Sequence, residues 1–319
     1  MEIVSTLRLE SGVRILMFGR GTIATIYGHV LQEAGHDVEF YVRPGRAAEL
    51  GDTVEIDLLD ARRTPLGTRV RGTFPIRLRE SVSADDGFDL IVLSVGHHHL
   101  SEAAEFLAPR LGGATVLVFG NIWEEPLAAV APLPADRVVF GSGGGGGGFG
   151  DDGVLHAALM RSVIIGTTGV RPSQRELGVQ AAFRQAGLAT RTEKDMRGRL
   201  WVHFVSDAGM FSQAIRSGSM AKMIGNRQAF RNAFLTSREL LPLLKARGVD
   251  LRRHRVAILP YRLPGLIAAL TALATTRMRI AQVSLAAHTD PRAPEARAVL
   301  DDTVREARRL GIPVPRLDL

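Results

Sequence analysis

Two hydrophobic rhythms divide the chain. Up to residue 192, short apolar runs at 13–18, 38–42, 89–95, 115–119 and 138–140 alternate with segments of helical period at 22–34, 100–108 and 173–186. That alternation predicts a parallel sheet with crossover helices. Two further runs, 54–58 and 73–78, read as a short antiparallel excursion from it. From residue 193 onward the strand signals fade, and helical periodicity predicts helices over 196–212, 226–246, 263–287 and 295–310. Gly311-Ile-Pro-Val-Pro315 closes the last, glycine at the helix end and proline just beyond. The expected organisation is therefore α/β over residues 1–192 followed by an all-helical domain over 193–319, with a binding cleft where the two meet. No internal repeat is visible.

The first apolar run ends in Gly19-Arg-Gly21-Thr22-Ile23-Ala24 and passes straight into a helical segment. Strand, glycine turn and helix in that order suit a dinucleotide. Gly19 makes the tight turn, Gly21 admits the pyrophosphate, and the small Ala24 lets helix and strand approach. Thr22 and Ile23 then carry the first free N–H groups of the helix towards the phosphates. The next strand ends Tyr41-Val42-Arg43-Pro44-Gly45-Arg46, with two guanidinium groups where NAD-selective sites place a carboxylate. Arg43 and Arg46 suit a 2′-phosphate and hence NADP(H); the plainer alternative is a pair of solvated loop arginines. The run Gly143 to Gly148, six consecutive glycines, reads as a mobile loop or as backbone that meets a ligand.

Composition narrows the partners. With 319 residues and 45% hydrophobic content the chain is long enough for two cores. It has no cysteine, which excludes disulfides, a thiol nucleophile and thiolate metal sites. The N-terminus lacks the apolar region of a signal peptide, and the apolar stretch 263–274 is too short to span a bilayer. A cytoplasmic protein without membrane contact is expected. The net charge of +7 comes from scattered basic residues with only 6% aromatics, a pattern that favours an anionic small molecule over nucleic acid.

Several landmarks then fall in one order. Asp89-Leu-Ile-Val-Leu-Ser-Val95 leads into Gly96-His97-His98-His99, and Thr115-Val-Leu-Val-Phe119 ends in Gly120-Asn121. The segments Gly153-Val-Leu-His156 and Val163-Ile-Ile-Gly166 look like a hairpin that completes the first domain. Leu200-Trp201 opens a long helix, and Glu295 precedes the closing Gly311-Ile-Pro-Val-Pro. In this order the chain resembles the ketopantoate reductase family over most of its length. The resemblance implies a Rossmann-type doubly wound sheet with an all-helical C-terminal domain, as in 6-phosphogluconate dehydrogenases, and a reductase that uses NADP(H). It also implies that Val95, Gly96, Asn121 and Glu295 surround the nicotinamide, that His97, Asn121, Ser284 and Glu295 face the substrate, and that a homodimer forms.

The departures from the family pattern bear on the chemistry. His203 stands where the family has its general-acid lysine, Asp207 where it has an asparagine, and Gly96 where it has a second lysine. Ile122-Trp123-Glu124 replaces small residues, and the substrate-binding serine falls near Val283 or Ser284. His203 is the best candidate proton donor, because imidazole is the side chain most used for general acid–base chemistry. Asp207, four residues on, shares its helix face and would orient the imidazole, much as in the His–Asp pair of opine dehydrogenases. The alternative is an ordinary i,i+4 surface pair. Asn121 suits a bond to the substrate carbonyl or the nicotinamide amide, or is a turn residue. Glu295 suits a substrate hydroxyl or amine, or is a first-turn acid after Pro294. Three adjacent histidines, 97 to 99, cannot converge on one metal, so no metal is expected. The expectation is a reductase that transfers hydride to a carbonyl or imine of a small molecule less polar than ketopantoate. The competing expectation is a catalytically silent NADP(H)-binding sensor or structural protein.

Overall fold

The computed structural model describes residues 12–169, 171–286 and 294–317. The chain divides into two compact units. The first runs up to Gly120 and resumes over Glu124–Met196. The second comprises Asn121–Trp123 and Arg197–Leu319.

In the first unit the order is β1 (Arg14–Phe18), α1 (Thr22–Glu33), β2 (Asp37–Tyr41), α2 (Ala47–Leu50), β3 (Thr53–Asp60), β4 (Thr68–Pro75) and β5 (Leu78–Arg79). There follow β6 (Leu90–Leu93), α3 (Leu100–Leu107), β7 (Thr115–Phe119), α4 (Pro126–Ala129), β8 (Val138–Ser142) and β9 (Gly145–Phe149). The unit closes with β10 (Leu155–Leu159), β11 (Ser162–Gly166), α5 (Gln174–Gln185) and β12 (Ala189–Thr192). Eight strands form the main sheet in the order β12-β11-β8-β7-β6-β1-β2-β5. The strand order reverses beside β1, whose neighbours β2 and β6 are both parallel to it. In such a doubly wound sheet a ligand crevice opens outside the carboxyl ends of the strands at that reversal. Ile15, Leu16 and Met17 of β1 and Leu90 and Val92 of β6 are fully buried, as strands covered on both faces require.

The antiparallel excursion at β3 and β4 is present, and it belongs to a second sheet ordered β4-β3-β10-β9. Two expectations are corrected here. The glycine run is not a mobile loop, because Gly145 to Gly148 lie in β9 and pair antiparallel with β10. The reason is space: a Cβ at Gly147 would lie 2.5 Å from the His156 carbonyl oxygen. The segments around residues 155 and 163 are likewise not a hairpin. β10 joins the small sheet beside β3, whereas β11 pairs antiparallel with β8 in the large one.

The second unit is helical: α6 (Met196–Ser217), α7 (Arg227–Glu239), α8 (Leu241–Ala246), α9 (Leu259–Arg262), α10 (Pro264–Arg277), α11 (Arg279–Ala286) and α12 (Pro294–Arg309). The single helix expected over 226–246 is broken where Pro242 enters the first turn of α8, since proline starts a helix more readily than it continues one. The helix expected over 263–287 is likewise broken, at the extended Met278. α10 is inverted in its patterning. It buries Ala268 and Ala272 among Met223 and Phe230, while Leu266, Leu270 and Leu273 are 54–58% exposed. Among the described residues no helix is long and apolar enough to cross a membrane.

Candidate functional site

In the first unit, the turn after β1 forms because Gly19 takes φ +101°, and its N–H donates to the Tyr41 carbonyl at 2.9 Å. A side chain there would be strained by that φ. Gly21 is the extended N-cap of α1, and neither a capping side chain nor a first-turn acid satisfies the helix N–H groups. A Cβ at Gly19 or Gly21 would meet no atom within 4 Å, so the space above the turn is open. Thr22 and Ile23 are half-buried in the first turn and Ala24 is fully buried. The tightest approach of helix to sheet is four residues further on, at Gly28. A Cβ there would lie 2.4 Å from the Phe40 ring.

A groove of about 530 Å³ runs past this turn, lined by Gly19, Arg20, Arg43, Arg46, Val95 and His99 among others. Its apolar wall is an aromatic run: Phe18 stacks on Tyr41 at 4.9 Å between ring centroids, and Tyr41 on Phe106 at 5.1 Å. The open turn, the unsatisfied helix N–H groups and the guanidinium-rich rim fit a dinucleotide phosphate, so the residues present suit the implied cofactor. Arg43 is exposed, and Arg46 pairs with Glu49 at 3.2 Å. Glu80 carries no motif signal yet shapes this rim. Its carboxylate accepts the Ala47 N–H at 2.8 Å, and the bonds from Ala47, then Gly45, hold its pKa below the ordinary carboxylate range. Gly96 precedes a 3₁₀ turn of His97 to His99 in the loop after β6. No group of three or more His, Asp or Glu suited to a metal occurs among the described residues.

In the second unit, Trp123 explains why a tripeptide that follows a sheet strand packs with helices. Its indole stacks on Phe204 at 4.8 Å with a 14° interplanar angle. The Arg247 guanidinium lies 4.0 Å from the Trp123 ring centroid and 3.8 Å from that of Trp201, and it donates to the Trp123 carbonyl at 2.5 Å. Such stacked cation–aromatic contacts gain strength as they are desolvated. They fix Asn121 two residues away. Asn121 Nδ2 donates to Asp207 Oδ2 at 2.9 Å and to Glu295 Oε1 at 3.4 Å. Two carboxylates on one side settle the amide's orientation, with nitrogen towards them. Both N–H groups of Asn121 thus face protein carboxylates.

His203 and Asp207 share a face of α6, and His203 Nε2 lies 3.8 Å from Asp207 Oδ2. The imidazole is 36% exposed and the carboxylate 22%. Beneath them, the buried Tyr261 hydroxyl bonds with Ser206 and Ser237 beside Asp207, and burial, chiefly, raises its pKa. No sequence motif marks Tyr261. Glu295 occupies the first turn of α12, so its helix-end position and its contact with Asn121 coexist. Ser284 is half-buried on α11. Residues 121, 203, 207 and 295, scattered along the chain, thus gather into one cluster, whereas His97 belongs to the first unit.

Residues 15–169 match the family model described as Ketopantoate reductase PanE/ApbA. No curated protein sequence matches the chain. Among solved structures, a 2-dehydropantoate 2-reductase from Geobacter metallireducens is 19% identical, with a TM-score of 0.67 over 96% of this chain and 97% of its own. A D-mandelate dehydrogenase solved with NADH and anilino(oxo)acetate is 15% identical, with a TM-score of 0.69 over 96% of this chain and 95% of its own. A 2-dehydropantoate 2-reductase from Methylococcus capsulatus is 21% identical, with a TM-score of 0.62 over 96% and 94%. At these identities the likeness is one of fold.

Proposed function

Because residues 15–169 match the ketopantoate reductase PanE/ApbA family model and the chain shares the fold of 2-dehydropantoate 2-reductases, we propose that it is an NADP(H)-dependent reductase of a small carbonyl or imine compound. One observation carries the reading: Asn121 joins Asp207, the partner of His203, to Glu295 in a single polar cluster. Bound in the groove, NADP(H) supplies the hydride. The chain's own residues handle the proton and the orientation. His203 donates the proton to the developing alkoxide or amine nitrogen, and Asp207 stabilises the imidazolium before that transfer. Asn121 sets the position of Asp207, and Glu295 orients a substrate hydroxyl or amine. Selectivity for the phosphorylated cofactor is supported by Glu80. It spends its carboxylate on backbone N–H groups and leaves Arg43 and Arg46 at the groove rim.

The test is NADPH oxidation, followed at 340 nm, with a panel of 2-oxo acids, ketones and cyclic imines. Turnover that His203→Ala abolishes is the expected result; turnover unchanged in that variant would overturn the proton-donor assignment. A second reading is favoured by the 3.8 Å gap between His203 and Asp207, longer than a hydrogen bond. In it the chain binds NADP(H) as a sensor without turnover, and tight binding with no oxidation on any panel member would establish it.

A homodimer through α10 accompanies this reading. On α10 the exposed leucines 266, 270 and 273 follow the four–three spacing of a paired-helix seam, and the exposed Leu259 of α9 and Leu263 before α10 add to the patch. They leave about 400–500 Å² of apolar surface in water, the size of a functional patch. A second copy laid on the same seam would bury about 1,000 Å², near the lower bound of a specific interface. Sedimentation should show a dimer that Leu266→Glu dissociates; a monomeric parent protein would sink the idea.

A further inference from the structure

We propose that Arg20, the residue between the two turn glycines, is a pyrophosphate clamp, distinct in role from the 2′-phosphate rim of Arg43 and Arg46. The inference rests on the NADP(H) reading and extends it to a side chain that the glycine motif leaves unspecified.

Arg20 lines the same groove as Gly19, Arg43 and Arg46. Its guanidinium carbon sits 4.9 Å from the ring centroid of Phe149, the last residue of the glycine strand β9. The stack holds the planar group in one orientation before any ligand arrives, which lowers the entropy cost of using it. Its Nε is buried and has no hydrogen-bond partner among the described residues. No carboxylate offsets the burial either. Desolvation alone acts on the group and pulls its pKa down from the ordinary arginine value. Other half-buried arginines of the unit use their donors: Arg175 reaches the Thr115 hydroxyl and Arg110 the Phe106 carbonyl. Arg62 lies 2.8 Å from Asp60 and 2.9 Å from Glu33. A desolvated guanidinium with an unused donor, beside open space and a helix start that lacks acids, calls for an anion. The phosphate nearest in the chain's own order is the one the glycine turn receives. The 2′-phosphate belongs to the end of β2, where Arg43 and Arg46 stand.

The experiment is calorimetric titration of the parent protein, Arg20→Ala, Arg20→Lys and Arg43→Ala with NADPH and with NADH. The pyrophosphate is common to both nucleotides, so Arg20→Ala should weaken both by the same factor, about tenfold or more for a lost charge-assisted bond. Arg20→Lys, which keeps the charge and loses the fork, should fall between. Arg43→Ala should weaken NADPH alone. Unchanged affinities in both Arg20 variants would overturn the clamp while leaving the cofactor reading intact. A loss confined to NADPH would move Arg20 to the 2′-phosphate and equally overturn it. A parent protein that binds neither nucleotide would overturn the cofactor reading and the clamp together. Melting temperatures without nucleotide, expected to match, separate lost contacts from lost fold.

Discussion

The groove of the first unit and the polar cluster of the second are opposites in charge and in construction. The groove is rimmed by the guanidinium groups of Arg20, Arg43 and Arg46 and is lined from two stretches of one unit, residues 18–50 and 95–106. The cluster gathers two carboxylates, an amide and an imidazole from positions as far apart as 121 and 295. The phosphate end of such a site can be written in one strand–turn–helix segment, because backbone N–H groups and glycines do most of the binding there. The proposed proton-handling cluster instead depends on side chains held by distant packing. Here that packing is the stack of Trp123, Arg247 and Trp201.

Substitutions should therefore separate the two. The largest effect is expected at His203. His203→Ala should lower turnover by about 100-fold or more, the usual contribution of a general acid. NADPH affinity, measured by titration, should stay unchanged, and a parallel loss of both would break the comparison. Next comes the support of the cluster. Trp123→Ala should cost about 3 kcal/mol of stability, as expected for a buried indole. It should also lower turnover, since Asn121 loses its anchor; denaturant unfolding and steady-state rates report the two. Arg43→Ala should act only on the groove, raising the Kd for NADPH about tenfold at unchanged NADH affinity.

The smallest effect concerns acid stability. His36 accepts the buried Val13 N–H on Nδ1, and burial, chiefly, lowers its pKa from the ordinary value of 6.5. The unfolded chain protonates this histidine first as the pH falls. Its contribution is therefore fully present above about pH 6.5 and drains away below it. Thermal melts of His36→Gln should show a shallower loss between pH 7 and pH 5 than the parent; identical slopes would remove His36 from the account.

The contrast also explains what is legible in the sequence. Gly19, Gly21, Ala24, Arg43 and Arg46 can be read directly, since local sequence places them at the turn after β1, the start of α1 and the end of β2. Gly28 and Glu80 cannot, because one answers to the bulk of Phe40 and the other to backbone N–H groups 33 residues upstream. His203 and Asp207 are visible as an i,i+4 pair, but their junction with Asn121 and Glu295 depends on tertiary packing that has no sequence period. The glycine run misleads for a related reason. Flexibility is the default property of consecutive glycines, yet between α1 and β10 the absence of side chains is what lets a strand fit. α10 misleads in the other direction. Its apolar stretch suggests leucines turned inward, while in the fold the leucines face solvent and the alanines face the core.

The tripeptide Asn121–Trp123 has a consequence for anyone dividing the molecule. The polypeptide enters the helical unit, leaves it and returns, so no single cleavage yields two complete pieces. A fragment beginning at Arg197 would carry Phe204 and the Arg247 guanidinium without the indole that covers them, and Asp207 without its amide donor. Heritable recombination of the helical unit onto another sheet domain meets the same constraint: three residues embedded in the donor's first half must travel with it.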